Sequence, residues 1–263
     1  MIKDSGYPVD KMRFTFCDTG NEHDLTYQYL LDLSKQFKLW GAPEIVWLQP
    51  ELDFYKLAEK KGRFPSTKAR FCTQHLKMFV TKKDTDKLQA DGYDLLLHTG
   101  VRGDESPERS KLKQSEFDMY YGANILRPLL NWTYNDVVEY VTQTHGIPLN
   151  PLYGYGARRV GCFPCINSVK HEIRMIATKF PERIDKIREW ETKLNSTFFP
   201  PNKVPNRYKS RTVHSKKKNM DVGICTIDDV VEWSMTGKRA KNFELIFEDD
   251  KHLNCNSSMG ACE

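Results

Sequence analysis

The sequence predicts an α/β protein built on a doubly wound, mostly parallel sheet. Three observations predict it. Short apolar runs end in small or charged residues, helix-like stretches lie between them, and the chain is apolar enough for a core. Its 263 residues are 39% hydrophobic and 29% charged, which suits one α/β domain with an appendage or two small domains. Strands that alternate with helices imply parallel βαβ units, with ligands beyond the carboxyl ends of the strands.

The first strand is Met12–Cys17, followed by Asp18-Thr19-Gly20. His23–Leu39 follows as a helix, with Leu25, Tyr29, Leu30, Leu33 and Phe37 near helical spacing. Glu44–Leu48 is the second strand, Asp94–Thr99 the third, and Ile125-Leu126 marks a fourth. Thr133 and Asp136 form a capping box that opens another helix, which Gly146 stops. The character changes after residue 170, so the expected division is a nucleotide-binding domain over 1–170 and an extension over 171–263. In the extension, His171–Leu194 reads as one charged amphipathic helix. Asn202–Asn219 reads as a loop with seven Lys and Arg residues and no acidic one. Thr226–Met235 reads as a last helix.

No run of about 18 apolar residues occurs, so no transmembrane helix is expected. MIKDSGYPVDKMRF lacks the apolar stretch of a signal peptide, so the expected location is cytoplasmic. Seven cysteines, an odd and uneven set, argue against a disulfide framework and toward thiol or metal chemistry. The net charge of +5 fits an anionic substrate without demanding one.

The cysteines of Gly161-Cys162-Phe163-Pro164-Cys165 stand at a recurrent ligand and redox spacing. An incidental buried pair, a redox dithiol and a metal or cluster site are the three readings. For the third, Cys72 is the best third ligand, and the fourth position is filled by Cys255, Cys262 or Cys225, or is left open for a substrate or sulfur atom. Four thiolates suit zinc or an iron–sulfur cluster equally by spacing. Asp18, Thr19 and Gly20 close a strand end where the two polar side chains can bond a nucleotide and the glycine permits close approach. In the loop Thr99–Arg109, Arg102 and Arg109 are candidate anion ligands, with Glu105 and Ser106 to orient them. Arg158 and Arg159 add positive charge and are expected to favour the thiolate forms of Cys162 and Cys165. The run Lys203–Lys218 reads as a solvated loop or as a contact for nucleic acid.

Taken in order, FCDTGNEHDLTYQYL, RFCTQHLKMF, TGVRGDESPERS and RPLLNWTYNDVVEYVTQTHGIPLNPLYGYGARRVGCFPC resemble the phosphoadenosine-phosphosulfate (PAPS) reductase family of the adenine nucleotide alpha hydrolase-like fold. The likeness runs over roughly residues 10–175. It is closer to phage- and plasmid-type members and to the DNA-phosphorothioation sulfurtransferase branch. The resemblance implies nucleotide-dependent sulfur transfer or reduction, with ATP or PAPS as substrate. It also implies a [4Fe–4S] cluster at Cys72, Cys162 and Cys165, with zinc as the alternative.

The sequence departs from the family in three places. The SGGKDS phosphate loop and its strand are not found, and Met1–Ser5 reads as the end of the helix that should follow them. A truncated chain, a partner chain that supplies the loop, and loss of nucleotide turnover are the expectations this raises. The Glu-Cys-Gly-(Leu/Ile)-His ending is absent, which leaves Cys262, in Ala261-Cys262-Glu263, as the candidate catalytic thiol. A family Cys-Cys pair is Phe71-Cys72 here. The alternative function is a non-catalytic structural or regulatory subunit with a zinc site that binds nucleic acid or a partner protein.

Overall fold

The computed structural model describes residues 6–215 and 219–236. β1 (Phe14–Cys17) and β2 (Ile45–Leu48) pair in parallel, with Phe14 opposite Ile45 and Cys17 opposite Leu48. Helix α1 (Asp24–Leu39) makes the crossover, and His23 caps it by accepting from the Leu25 amide at 3.0 Å. Both strands are aromatic and β-branched, residues that fit a pleated, half-buried surface. α2 (Phe54–Lys61) starts on the Asp53 side chain and ends at Gly62 in the left-handed region, a common C-terminal stop. α3 (Phe71–Thr73) passes through a π-helical turn (Gln74–Met78) into α4 (Phe79–Ala90).

β3 (Leu96–His98), β4 (Ser115–Asp118) and β5 (Ala123–Leu126) form a second ladder in the order β3-β5-β4. β3 runs parallel to β5, and β4 runs antiparallel to it. α4 touches both ladders. Asp84 pairs with Arg13 at 2.7 Å beside β1, and Gln89 donates to the Gly122 carbonyl at 2.8 Å beside β5. The capping box at Thr133 and Asp136 starts α5 (Tyr134–Glu139), which becomes a π-helical turn (Tyr140–Thr144) before Gly146. α6 (Pro151–Gly154) follows.

The stretch predicted as one helix over His171–Leu194 is two, α7 (Lys170–Lys179) and α8 (Pro181–Leu194). Pro181 has no amide proton to continue α7 and sits where a new helix best begins. The basic stretch expected to be a loop contains β6 (Arg211–Ser215), which pairs antiparallel with β7 (Met220–Ile224). α9 (Ile227–Met235) begins at Thr226.

The fold is thus α/β, with parallel strand pairs and intervening helices, as the alternation predicts. No helix among the described residues is long and apolar enough to cross a membrane. One hydrophobic core runs across residue 170, joining Phe54, Leu76 and Phe163 to Ile173, Ile187 and Trp233. Each such side chain contributes about 1.5–3 kcal/mol on burial, so the two halves of the chain hold each other up.

Candidate functional site

The turn after β1 is built around glycine. Gly20 has φ +72°, and a Cβ there would lie 2.8 Å from Asp53 Cβ. The turn delivers Asp18, Thr19 and Glu22 to the carboxyl end of the strand. Asp18 accepts from the Gly20 amide at 2.9 Å, from Tyr27 Oη at 2.7 Å and from Gln49 Nε2 at 3.0 Å. Burial raises its pKa, but these hydrogen bonds outweigh burial and hold the carboxyl below its usual value.

Glu22 is only 4% exposed. It accepts from the Thr19 hydroxyl at 2.7 Å, the Thr19 amide at 3.1 Å, the Asn21 amide at 3.2 Å and Tyr27 Oη at 3.2 Å. Neither Glu22 nor Tyr27 stood out in the sequence. Their only signal is a polar residue one turn on from a strand-end glycine.

The cysteine loop is tied directly to this turn. The Phe163 amide donates to the Asn21 carbonyl at 2.7 Å, and Asn21 Nδ2 donates to the Pro164 carbonyl at 3.1 Å. Cys162 Sγ therefore lies 3.4 Å from Thr19 Oγ1 and 4.0 Å from Glu22 Oε1. The single Thr19 hydroxyl proton goes to Glu22, so Cys162 is the S–H donor in this pair. Burial, and then the charge of Glu22, push the Cys162 thiol up to about 12. This corrects the expectation that Arg158 and Arg159 make it a thiolate. Desolvation and then the neighbouring Glu22 carboxylate dominate at the thiol.

Cys72 is raised by burial and then by the charge of Cys165, which also acts on Cys162. Cys72, Cys162 and Cys165 are thus within electrostatic reach of one another through Cys165. Arg70 feels burial first, then Cys165, Cys72, Arg159 and Arg109. Its Nε is buried without a hydrogen-bond partner. Lys77, in the π-helical turn, acts on Cys17, Cys72 and Cys162.

The charges of Cys165 and Cys72 both act on Arg70, whose buried Nε has no hydrogen-bond acceptor. Among the described residues, no three His, Cys, Asp or Glu side chains are arranged to hold a metal ion. Cys225 lies elsewhere, fully buried in the core, its thiol on the Pro200 carbonyl at 3.4 Å and pushed up to about 11 by burial. Cys255 and Cys262 fall outside the described residues.

Arg102 and Arg109 are engaged within their own loop. Arg102 pairs with Asp104 at 3.0 Å and Glu105 at 3.4 Å, and Arg109 pairs with Glu105. The Arg109 amide donates to Ser106 Oγ at 3.2 Å. An incoming anion has to compete with these carboxylates. In the basic run, Lys203 turns onto the Ser168 carbonyl and the Phe199 ring, and Lys209 binds Asn206 Oδ1. Residues 216–218 lie outside the described residues, as do Met1–Ser5.

Residues 5–168 match the phosphoadenosine phosphosulfate reductase domain family. The chain belongs to that family. A 37.8 kDa uncharacterised protein of Escherichia phage 186 is 37% identical over 221 residues, covering 80% of this chain and 64% of that protein. The adenosine 5'-phosphosulfate reductase of Neisseria meningitidis serogroup B is 30% identical over 157 residues, covering 58% of this chain and 60% of that protein. A crystal structure of PAPS reductase from Candida auris, in a phosphate complex, aligns with a TM-score of 0.47 and 20% identity. It covers 62% of this chain and 73% of that one. The chain spans less than two thirds of the length of these curated relatives.

Proposed function

We propose that this PAPS-reductase-family chain is an enzyme of nucleotide-dependent sulfur transfer or reduction, with ATP or PAPS as substrate. The observation that carries the reading is the meeting of two loops. The strand-end turn Asp18–Glu22 and the Cys162–Cys165 loop converge, so that a thiol sits 3.4 Å from Thr19 Oγ1. A nucleotide at the strand end would be bonded by Asp18 and Thr19, approached closely at Gly20, and delivered beside the cysteines. Arg70, with Arg159 and Arg109 both acting on it, would supply positive charge for its anionic end.

As placed, Cys162 is a neutral thiol, so its reactivity depends on what removes its proton. Cys72, Cys162 and Cys165 would hold a [4Fe–4S] cluster, with Cys255 or Cys262 as the fourth ligand. Such a cluster, when bound, supplies electron transfer and electrostatic polarisation at the sulfur centre. Ligation at Cys162 would require loss of the proton that now faces Thr19 and Glu22.

Anaerobic elemental analysis and calorimetry test the proposal. Wild type is expected to carry iron and to absorb at about 400 nm, and Cys72→Ser to lose most of both. A preparation with neither iron nor zinc ends the ligand assignment, and zinc alone selects the zinc centre. Pairing of Arg102 and Arg109 with Asp104 and Glu105 favours a second reading, a non-catalytic subunit with these arginines occupied. Calorimetric binding of ATP or PAPS excludes the second reading, and absence of binding excludes the first.

A further inference from the structure

Arg183 belongs to the first turn of α8, outside the segment that matches the family. A cation there sits against the positive end of the helix dipole, which disfavours it. Burial also holds its pKa below the usual value. Its guanidinium contacts are to oxygens of two distant loops. Nε donates to the Phe163 carbonyl at 2.9 Å. Nη2 donates to the Asn21 carbonyl at 3.2 Å, the Glu22 carbonyl at 3.1 Å and Asn21 Oδ1 at 3.4 Å, and it also reaches the Phe163 carbonyl. One planar fork thus joins the residues that flank both Cys162 and Glu22.

The residue just before α8 adds an apolar prong. Phe180 packs edge-on against His23 at 4.5 Å and Phe163 at 5.5 Å between ring centroids, and His23 meets Phe163 at 4.9 Å. The start of α8 therefore grips the strand-end turn and the cysteine loop from one side.

We propose that Arg183 is a positioning residue that fixes the register of Cys162 against Thr19 and Glu22. It touches neither thiol nor carboxylate and acts through main-chain carbonyls. A guanidinium suits this role because its planar donors reach several acceptors at once, while an ammonium is a single point with three donors. The importance of that register for catalysis rests on the function proposed above, whereas the register itself does not.

The test follows alkylation of individual cysteines by iodoacetamide in the full-length, chelator-treated chain, resolved by peptide mass spectrometry. Cys225, in the core, is the internal reference. In Arg183→Met, Cys162 is expected to label about tenfold faster or more, as when loop opening becomes easier by about 1.4 kcal/mol, with Cys225 unchanged. Arg183→Lys is expected to restore only part of the protection, because its three donors meet at one point and reach fewer of these oxygens. If folded Arg183→Met labels Cys162 at the wild-type rate, or if Cys162 and Cys225 rise together, the proposal is overturned. Should Arg183→Met fail to fold, Arg183→Lys and Arg183→Gln decide. A selective rise at Cys162 in either supports the clamp, and none in both refutes it. The assay needs neither nucleotide nor metal, so its failure is distinct from failure of the proposed function.

Discussion

Replacing Glu191 by glutamine isolates a titration buried at the far end of α8. Glu191 is 8% exposed and accepts from the Phe198 amide at 2.7 Å and the Ile227 amide at 2.9 Å. It latches the segment after α8 and the start of α9 onto the helix. Burial raises its pKa from 4.5 to about 7, despite the two amide donors that oppose the shift. The folded chain therefore holds a proton that the unfolded chain releases. The resulting stability is fully present below about pH 4.5 and is lost as pH rises through about 7. At about 1.4 kcal/mol per unit, the loss is about 3 kcal/mol. Glutamine does not titrate, and its poorer fit to two amides costs the same at every pH. Urea unfolding of wild type and Glu191→Gln at pH 4.5 and pH 8 reads the difference directly. The stability gap between the two proteins should shift by about 3 kcal/mol in favour of the variant at the higher pH. A gap that stays constant across this range would falsify the argument and mean that the two amides outweigh burial.

Other consequences are simpler to measure. Gly20→Ala should destabilise the chain by about 2–3 kcal/mol in chemical denaturation, because it combines a left-handed backbone with a clash at Asp53. Thr133→Ala removes an exposed helix cap and should cost about 1 kcal/mol, read by the same method, with Thr133→Ser close to wild type.

Local chemistry made much of the fold legible. β1, β2, β3 and β5 are apolar runs, and α5 is announced by its capping box. What stayed hidden had a competing signal. β4 is Ser-Glu-Phe-Asp, too polar for an apolar-run criterion, and its place depends on pairing with β5. β6 lies inside a basic run whose charge masks its strand character. α7 and α8 share one helical charge pattern, so the break at Pro181 was read through.

The site divides in the same way. Cysteine spacing and the strand-end Asp-Thr-Gly drew attention to the two loops. Their contact joins residues 143 apart in sequence, which no local pattern encodes. Glu22, Arg70 and Arg183 gain their roles only from that long-range closure.

The region matching the family ends at residue 168, whereas the brace on its loops begins with Phe180 and Arg183. The family domain and the mechanical unit therefore have different borders here. A fragment cut at the end of the matching region would keep Cys162 but lose the Arg183 and Phe180 contacts to the loop that carries it. In recombination or protein engineering, the portable unit therefore includes α7, α8 and α9, which share its core, and grafting the cysteines alone would leave that support behind.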